Sequence, residues 1–322
     1  MAETNANVHP LYLKDDRPIE ELPKIWIDDG HGPNLKLPIR FSIVKPSDEA
    51  GQQRDQTNEA AEHMKYAATL GLPELAQKTI PRQGKAIIVG GAPSVKDHLE
   101  EIKEYQKNPH NAVFAVNWTH TWLIKNEIIP RACVFFEIDP EPGSALVTCH
   151  PDVSYFICSH CHPKTFDSLV GYKRVLWHSI PNSDIEKEVH NEIFPNSWVV
   201  GGGIGTFTRT LAVAMYMGYR DFELFGCDSS YPDDSKTHVD GYETPMDDKT
   251  DGMYVYARVE IEGHPDSGKV RRFRTIGPLA LQHEEFKEFC KVNHQFFTLR
   301  VHGDSLLRFT HEAMFADQYD ER

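Results

Sequence analysis

Basic charge is in short supply in this chain: 34 Lys and Arg stand against 48 Asp and Glu, a formal net charge of −14 in 322 residues. That excludes a broad nucleic-acid footprint, because nonspecific affinity for phosphate backbones comes from Lys and Arg. No apolar run reaches the ~18 residues that a membrane span needs. Six cysteines in a chain of this length do not make a disulfide framework. The opening Met-Ala-Glu-Thr-Asn has neither the basic nor the apolar region of a secretory leader, so the expected setting is the cytoplasm with reduced thiols. A complete dinucleotide fingerprint, G-x-G-x-x-G after a strand, is also missing.

What is present is an alternation of apolar runs and amphipathic stretches. Lys85-Ala-Ile-Ile-Val89 is apolar and β-branched, as a strand buried on both faces requires, and it ends in Gly90-Gly91. Pro93 leads into a helix carrying Val95, Leu99, Ile102 and Tyr105, with Ser94 expected as its N-cap and Asp97 as the capping-box partner. Further strands are expected at 112–116, 132–140, 154–159, 174–178, 222–228 and 296–301, and helices at 119–128, from Pro163, from Thr206 to Met217 and at 279–292. Residues 1–84 form an extended, proline-rich arm with short strands at 24–27 and 39–44, followed by a packing helix over 55–70. Residues 85–322 form one domain, with a polar insertion at about 229–275. In it, 253–262 pairs with 270–276 as a hairpin turning at Pro265-Asp266-Ser267-Gly268. The fold class is therefore α/β: a Rossmann-like, doubly wound and mainly parallel sheet, helices on both faces, and an inserted β-hairpin.

In such a sheet ligands bind at the carboxyl ends of strands. Gly90, Gly91 and Ser94 lie at one such end, where free amides and a helix dipole suit a phosphate. Asn117, Asp139 and Asp228 end three other strands, and Gly201, Gly202, Gly203 and Thr206 open a second glycine-led helix. Asp228-Ser229-Ser230-Tyr231, with His238 beyond it, is the densest polar cluster in the chain. Lys85, Arg209, Arg258, Arg271, Arg272 and Arg274 are the basic candidates for phosphate contact. Cys149, His150, Cys158, His160, Cys161 and His162 lack zinc-ribbon spacing and are expected to be structural, so no residue is assigned to a metal.

Two stretches resemble a known superfamily. Ile88-Val-Gly-Gly-Ala-Pro-Ser94 is similar to the G-x-G-P-S-L opening of the sialyltransferase-like and 6-hydroxymethylpterin diphosphokinase MptE-like proteins, once called domain of unknown function 115. Gly201-Gly-Gly-Ile-Gly-Thr206, Leu211-Ala212, Gly218-Tyr219 and Phe225-Gly-Cys-Asp-Ser-Ser-Tyr231 resemble the same family's glycine start, helix, turn and strand ending in G-x-D-x-x-Y. The likeness spans about residues 85 to 301. It implies a nucleotide-binding transferase, most simply a glycosyltransferase with a nucleotide-sugar donor of the CMP-sugar type and an acceptor it does not name (glycan, protein or small alcohol).

In the bacterial sialyltransferases tyrosines steady the leaving phosphate, and a histidine just before the last core helix is the base. Here that stretch is Arg274-Thr-Ile-Gly-Pro278, without histidine, so His238 becomes the expected base, with Tyr231 at the phosphate and Asp228 beside them. Gly90, Gly91 and Ser94 then cradle phosphate, Asn117 and Asp139 orient the nucleotide, and Gly201–Thr206 closes the second wall. The MptE-like enzymes imply the alternative, an ATP- and Mg²⁺-dependent diphosphokinase. A binding protein without catalysis is the third possibility. Members in flagellin-glycosylation loci and phage genomes imply a bacterial or phage setting, and a homo-oligomer is compatible with all three.

Overall fold

The computed structural model describes residues 24–28, 35–38, 56–140, 148–203, 205–232, 237–242, 255–260 and 270–319. In chain order the strands are β1 (Lys24–Asp28), β2 (Leu35–Pro38), β3 (Ala86–Val89), β4 (Ala112–Val116), β5 (Ala132–Phe135), β6 (Ser154–Cys158), β7 (Lys173–Ser179), β8 (Val199–Val200), β9 (Asp221–Phe225), β10 (Val255–Glu260), β11 (Val270–Thr275) and β12 (Thr298–Val301). The helices are α1 (Gln56–Thr69), α2 (Leu99–Lys107), α3 (Thr119–Lys125), α4 (Pro163–Asp167), α5 (Asp184–Ile193), α6 (Thr206–Tyr216), α7 (Gly277–Asn293) and α8 (Leu306–Met314).

Eight strands form one sheet in the order β12-β9-β3-β4-β5-β6-β7-β8, and every neighbouring pair is parallel. The expected Rossmann-like α/β architecture is what the chain adopts. All four residues of β3 are fully buried. At about 1.5–3 kcal/mol for each buried Ile or Val, β3 alone supplies a substantial part of the core. The chain winds from β3 through β4 to β8 in one direction, then returns to place β9 on the other flank of β3. This reversal is the topological switch point, where strand exits diverge and open a crevice. A second, antiparallel sheet, β11-β10-β1-β2, joins the inserted hairpin to the N-terminal arm.

Several expectations need adjustment. Ser94 is not an N-cap: Pro93–His98 is a 3₁₀ turn whose N-cap is Ala92, and the α-helix begins only at Leu99. The Ser94 hydroxyl has a stronger acceptor elsewhere, described below. β5 stops at Phe135, so Asp139 lies four residues past the strand rather than at its end. Two helices have no counterpart in the sequence reading. α5 is capped by the Ser183 hydroxyl, which accepts from the Glu186 amide at 3.1 Å, and α8 by Ser305 in the same way through Arg308. The expected strand at 39–44 and the turn at 265–268 lie outside the described residues, while the second arm strand falls at Leu35–Pro38.

β3 and β9 touch through glycine. A Cβ on Gly90 would meet the Gly226 carbonyl oxygen, and one on Gly226, whose φ is +61°, would meet the Gly90 carbonyl oxygen and, at 2.8 Å, the Val95 Cβ. Gly226→Ala is therefore expected to cost on the order of 2–3 kcal/mol, combining left-handed strain with a steric shift of β3. Gly71→Ala, at φ +58° with nothing within 4 Å, isolates the strain alone and should cost about 1 kcal/mol. Urea midpoints measure both. Equal losses at the two positions would rule out the steric account.

Candidate functional site

The crevice is lined by the exits of β9, β3, β4 and β5, in that spatial order. After β9, Ser229 adopts φ +51°, and Asp228 before it is almost fully buried. Its two carboxylate oxygens are both used by one residue of the β3 exit: the Ser94 hydroxyl donates to Oδ1 at 2.6 Å and the Ser94 amide to Oδ2 at 3.2 Å. A carboxylate thus occupies the place where the helix-start amide and hydroxyl were expected to meet phosphate. Burial pushes the Asp228 carboxyl up to about 6, against the pull of the Ser94 bonds and of nearby His98. Gly303, with φ +88°, closes the pair from β12, since a Cβ there would lie 2.6 Å from the Ser94 hydroxyl.

After β4, Asn117 takes φ +48°, the left-handed conformation that Asn tolerates among non-glycine residues. Its Nδ2 donates to Glu137 Oε1 at 2.9 Å, and the Thr206 hydroxyl donates to the same oxygen at 3.1 Å. Asn117, Thr206 and the β5-exit residue Glu137 therefore form one unit. Glu137 was not anticipated; Asp139, two residues on, was. Burial raises the Glu137 carboxyl, the Thr206 and Asn117 bonds oppose it, and the Asp139 charge adds to the rise. Asn117 Oδ1, Trp118 Nε1 and Ser229 Oγ are buried with no hydrogen-bond partner among the described residues.

The inserted segment folds back onto the glycine pair. The Val239 amide donates to the Gly91 carbonyl at 2.9 Å, and the Tyr242 ring fills the space a Gly91 side chain would take. His238 stacks on Tyr242 at 4.5 Å with rings 4° from parallel, and its Nδ1 lies 3.0 Å from the Thr237 hydroxyl. His238 is thus carried to the β3 exit. Tyr231 is buried, its amide donating to the Arg274 carbonyl at 3.0 Å and its hydroxyl to the Thr275 carbonyl at 3.4 Å, so it ties the β9 exit to β11. Gly202 (φ +132°) and Gly203 (φ +76°) turn the chain into α6, and buried Arg209 holds that turn by donating to the carbonyls of Gly203 at 2.6 Å and Val200 at 2.7 Å. Gly201 continues the same turn beyond β8. This glycine turn also packs on α7, since a Gly203 Cβ would meet Glu285 Oε2 at 2.6 Å.

Three basic candidates are otherwise engaged. Lys85 sits at the amino end of β3, away from the rim, and pairs with Glu223 and Asp221. Arg209 is committed to the glycine turn, and Arg271 pairs with Asp304 at 2.8 Å. The Cys158, His160 and Cys161 side chains are buried, and the His160 ring meets the Phe136 carbonyl at 2.7 Å and the Ser179 hydroxyl at 3.4 Å, contacts proper to a packed core. Sequence reasoning missed His98, Glu101 and His302, which converge beside the Ser94–Asp228 pair; His98 and Glu101 stand three residues apart, but their third partner, His302, lies far along the chain on the β12 exit.

These features define a doubly wound Rossmann-like protein whose switch-point crevice is walled by a serine–aspartate pair on one side and an Asn-Glu-Thr unit on the other. The 6-hydroxymethylpterin diphosphokinase MptE-like family profile matches residues 59–234, more than half of the chain, and the chain belongs to that family. Among solved structures, the MAf glycosyltransferase from Magnetospirillum magneticum AMB-1 is similar in fold, with a TM-score of 0.57 at 15% identity. The likeness covers 77% of this chain and 37% of that one, so the chain spans little more than a third of that protein's length. No curated protein matches the sequence. Among the described residues no helix is long and apolar enough to cross a membrane.

The folded state holds the Asp228 proton more tightly than an unfolded carboxyl of 3.8, so this group's contribution is favourable at low pH and is lost as pH rises from about 4 to about 6. The difference corresponds to roughly 3 kcal/mol above that window. Asp228→Asn accepts from the Ser94 amide and donates to its hydroxyl without carrying charge. Denaturation midpoints at pH 4.5 and 7.5 should show the variant gaining on the parent as pH rises; parallel profiles would refute the assignment.

Proposed function

We propose that the protein is a nucleotide-dependent group transferase whose donor is a nucleotide-activated sugar of the CMP-sugar type, bound at the β9–β3–β4 crevice. The observation that carries this reading is the set of orphaned polar atoms around the switch point, Asn117 Oδ1, Trp118 Nε1 and Ser229 Oγ. Buried polar groups are rarely left unpaired, and a ligand rich in hydroxyl and amide groups completes them. The similarity to a glycosyltransferase structure supports a sugar donor, and family membership supports a nucleotide-dependent transferase.

In this reading Asn117 and Asp139 orient the nucleotide between the Gly201–Thr206 turn on one side and the Ser94–Asp228 pair on the other, with Tyr231 holding the β9 exit against β11. His238 takes the acceptor's proton, and Asp228, with its raised affinity for a proton, serves the same centre. The acceptor is a hydroxyl-bearing molecule. A second reading, an ATP- and Mg²⁺-dependent diphosphokinase, is favoured by the family match and by the two carboxylates, Glu137 and Asp139, that follow β5. Mg²⁺ prefers oxygen donors of this kind.

Thermal melting against CMP, UDP, GDP and ATP, with and without Mg²⁺, separates the two. Saturation at about a hundred times Kd stabilises by ~2.7 kcal/mol. A shift with CMP or another sugar-carrying nucleotide and no metal requirement fits the first reading; a shift only with ATP and Mg²⁺ fits the second. No shift with any nucleotide contradicts both. Once a donor is found, His238→Ala should lower kcat by about 10²–10⁴-fold with donor affinity retained. Full turnover by the variant would remove His238 from the base role.

A further inference from the structure

A strip of ionisable side chains runs under α2, on the face of the sheet between β9 and β12. His302 follows β12, where its amide extends the ladder by donating to the Leu224 carbonyl at 2.9 Å, and its ring stacks on Phe225 with centroids 4.0 Å apart. Its Nε2 donates to buried Glu223 Oε2 at 2.7 Å. That contact places the proton on Nε2 and leaves the Nδ1 lone pair of His302 facing Glu101, whose Oε1 is 3.6 Å away. Across the same carboxylate, His98 Nδ1 lies 3.0 Å from Glu101 Oε2. One donor atom from each of His98, Glu101 and His302 lies within 4.8 Å of the other two.

We infer that His98, Glu101 and His302 bind one divalent transition-metal ion of the zinc class. Donor atoms about 2.0–2.1 Å from zinc at tetrahedral angles are roughly 3.3 Å apart; His98 Nδ1 lies 3.0 Å from Glu101 Oε2 and His302 Nδ1 3.6 Å from Oε1, so the two imidazoles face the two oxygens of one carboxylate. Two imidazoles and one carboxylate are a donor set that zinc accepts while keeping a fourth position open, and imidazole nitrogen disfavours Mg²⁺ and Ca²⁺. The Glu223–His302 bond is the outer-sphere carboxylate–histidine contact that fixes the tautomer and orientation of a metal-bound ring. His98 and Glu101 are partly exposed, which gives the ion a route of entry and the His98 ring room to close on it. The positive start of α2 opposes a cation here, and the charges of Glu101 and Glu223 offset it. The bound ion ties the β12 exit to the start of α2. It also sits next to the catalytic crevice proposed above, because Gly303, one residue beyond His302, lies against Ser94.

The test needs no nucleotide and no turnover, so its outcome is independent of the donor reading. The full chain, stripped with a chelator, is titrated with Co²⁺ and followed by visible d–d absorption. One Co²⁺ per chain, displaced by one equivalent of Zn²⁺, is expected. His98→Ala and Glu101→Gln should each weaken binding at least tenfold while the protein still melts cooperatively, and Glu223→Gln should weaken it about 10–100-fold through the His302 ring. His110→Ala, at an exposed turn, should leave binding unchanged. His302→Ala removes a buried side chain and counts only if it melts cooperatively. Absence of stoichiometric Co²⁺ binding, or binding unaffected by His98→Ala and Glu101→Gln, overturns the assignment.

Discussion

The close approach of Gly90 and Gly226 governs everything that happens at the crevice. With no side chain on either residue, β3 and β9 leave the sheet with their backbones in contact, the Ala92 amide donating to the Gly226 carbonyl at 3.0 Å. Only this approach brings the carboxylate two residues beyond Gly226 within reach of both the amide and the hydroxyl of Ser94. A methyl group at either glycine would force the two exits apart and leave a buried, unpaired carboxylate. Such a group costs far more than one with satisfied lone pairs.

Burial then sets the chemistry of the rim. Asp228 and Glu137 both sit where ionisation is penalised, and both carry hydrogen bonds that only partly restore it. Each faces a residue whose backbone departs from the ordinary regions, Ser229 on one side and Asn117 on the other. Strained residues at strand exits, carboxyls whose proton affinity burial raises and orphaned polar atoms occur together here, the combination expected where a fold gives up stability for function. Glu223, buried on the same sheet, behaves in the opposite sense. Hydrogen bonds from His302 and Lys85 outweigh its burial and hold its carboxyl below the usual carboxylate value, so it acts as an anchor for His302 and not as an acid.

The two glycine stretches have different duties. Gly90 and Gly91 are required by neighbours pressing on them, a backbone in one case and the Tyr242 ring in the other. Gly202 and Gly203 are required by their positive φ values, and Arg209 holds the turn they make. Periodicity and punctuation cannot distinguish these causes, because a glycine looks the same whether conformation or contact demands it.

The sequence by itself determined the sheet, its parallel sense and most of its strand exits. Buried parallel strands must be largely apolar runs, and β3, β4 and β6 are such runs, followed by Gly90, Asn117 and Ser159. The inserted hairpin was legible for the same reason, from alternation that antiparallel strands require. The helices α5 and α8 were not: α5 is short and polar on much of its surface, α8 follows the last expected strand, and the Ser183 and Ser305 caps that start them are common residues. Tertiary structure alone decided the partners. Ser94 abandons the N-cap because Asp228, 134 residues away, is a charged acceptor with two oxygens to fill. Glu137 joins Asn117 and Thr206, and His98 with Glu101 meets His302, because strand order places distant segments side by side. Local sequence carries backbone preference and hydrophobic period, whereas the pairing of polar side chains depends on which strands become neighbours, and that is settled only when the sheet closes around the switch point.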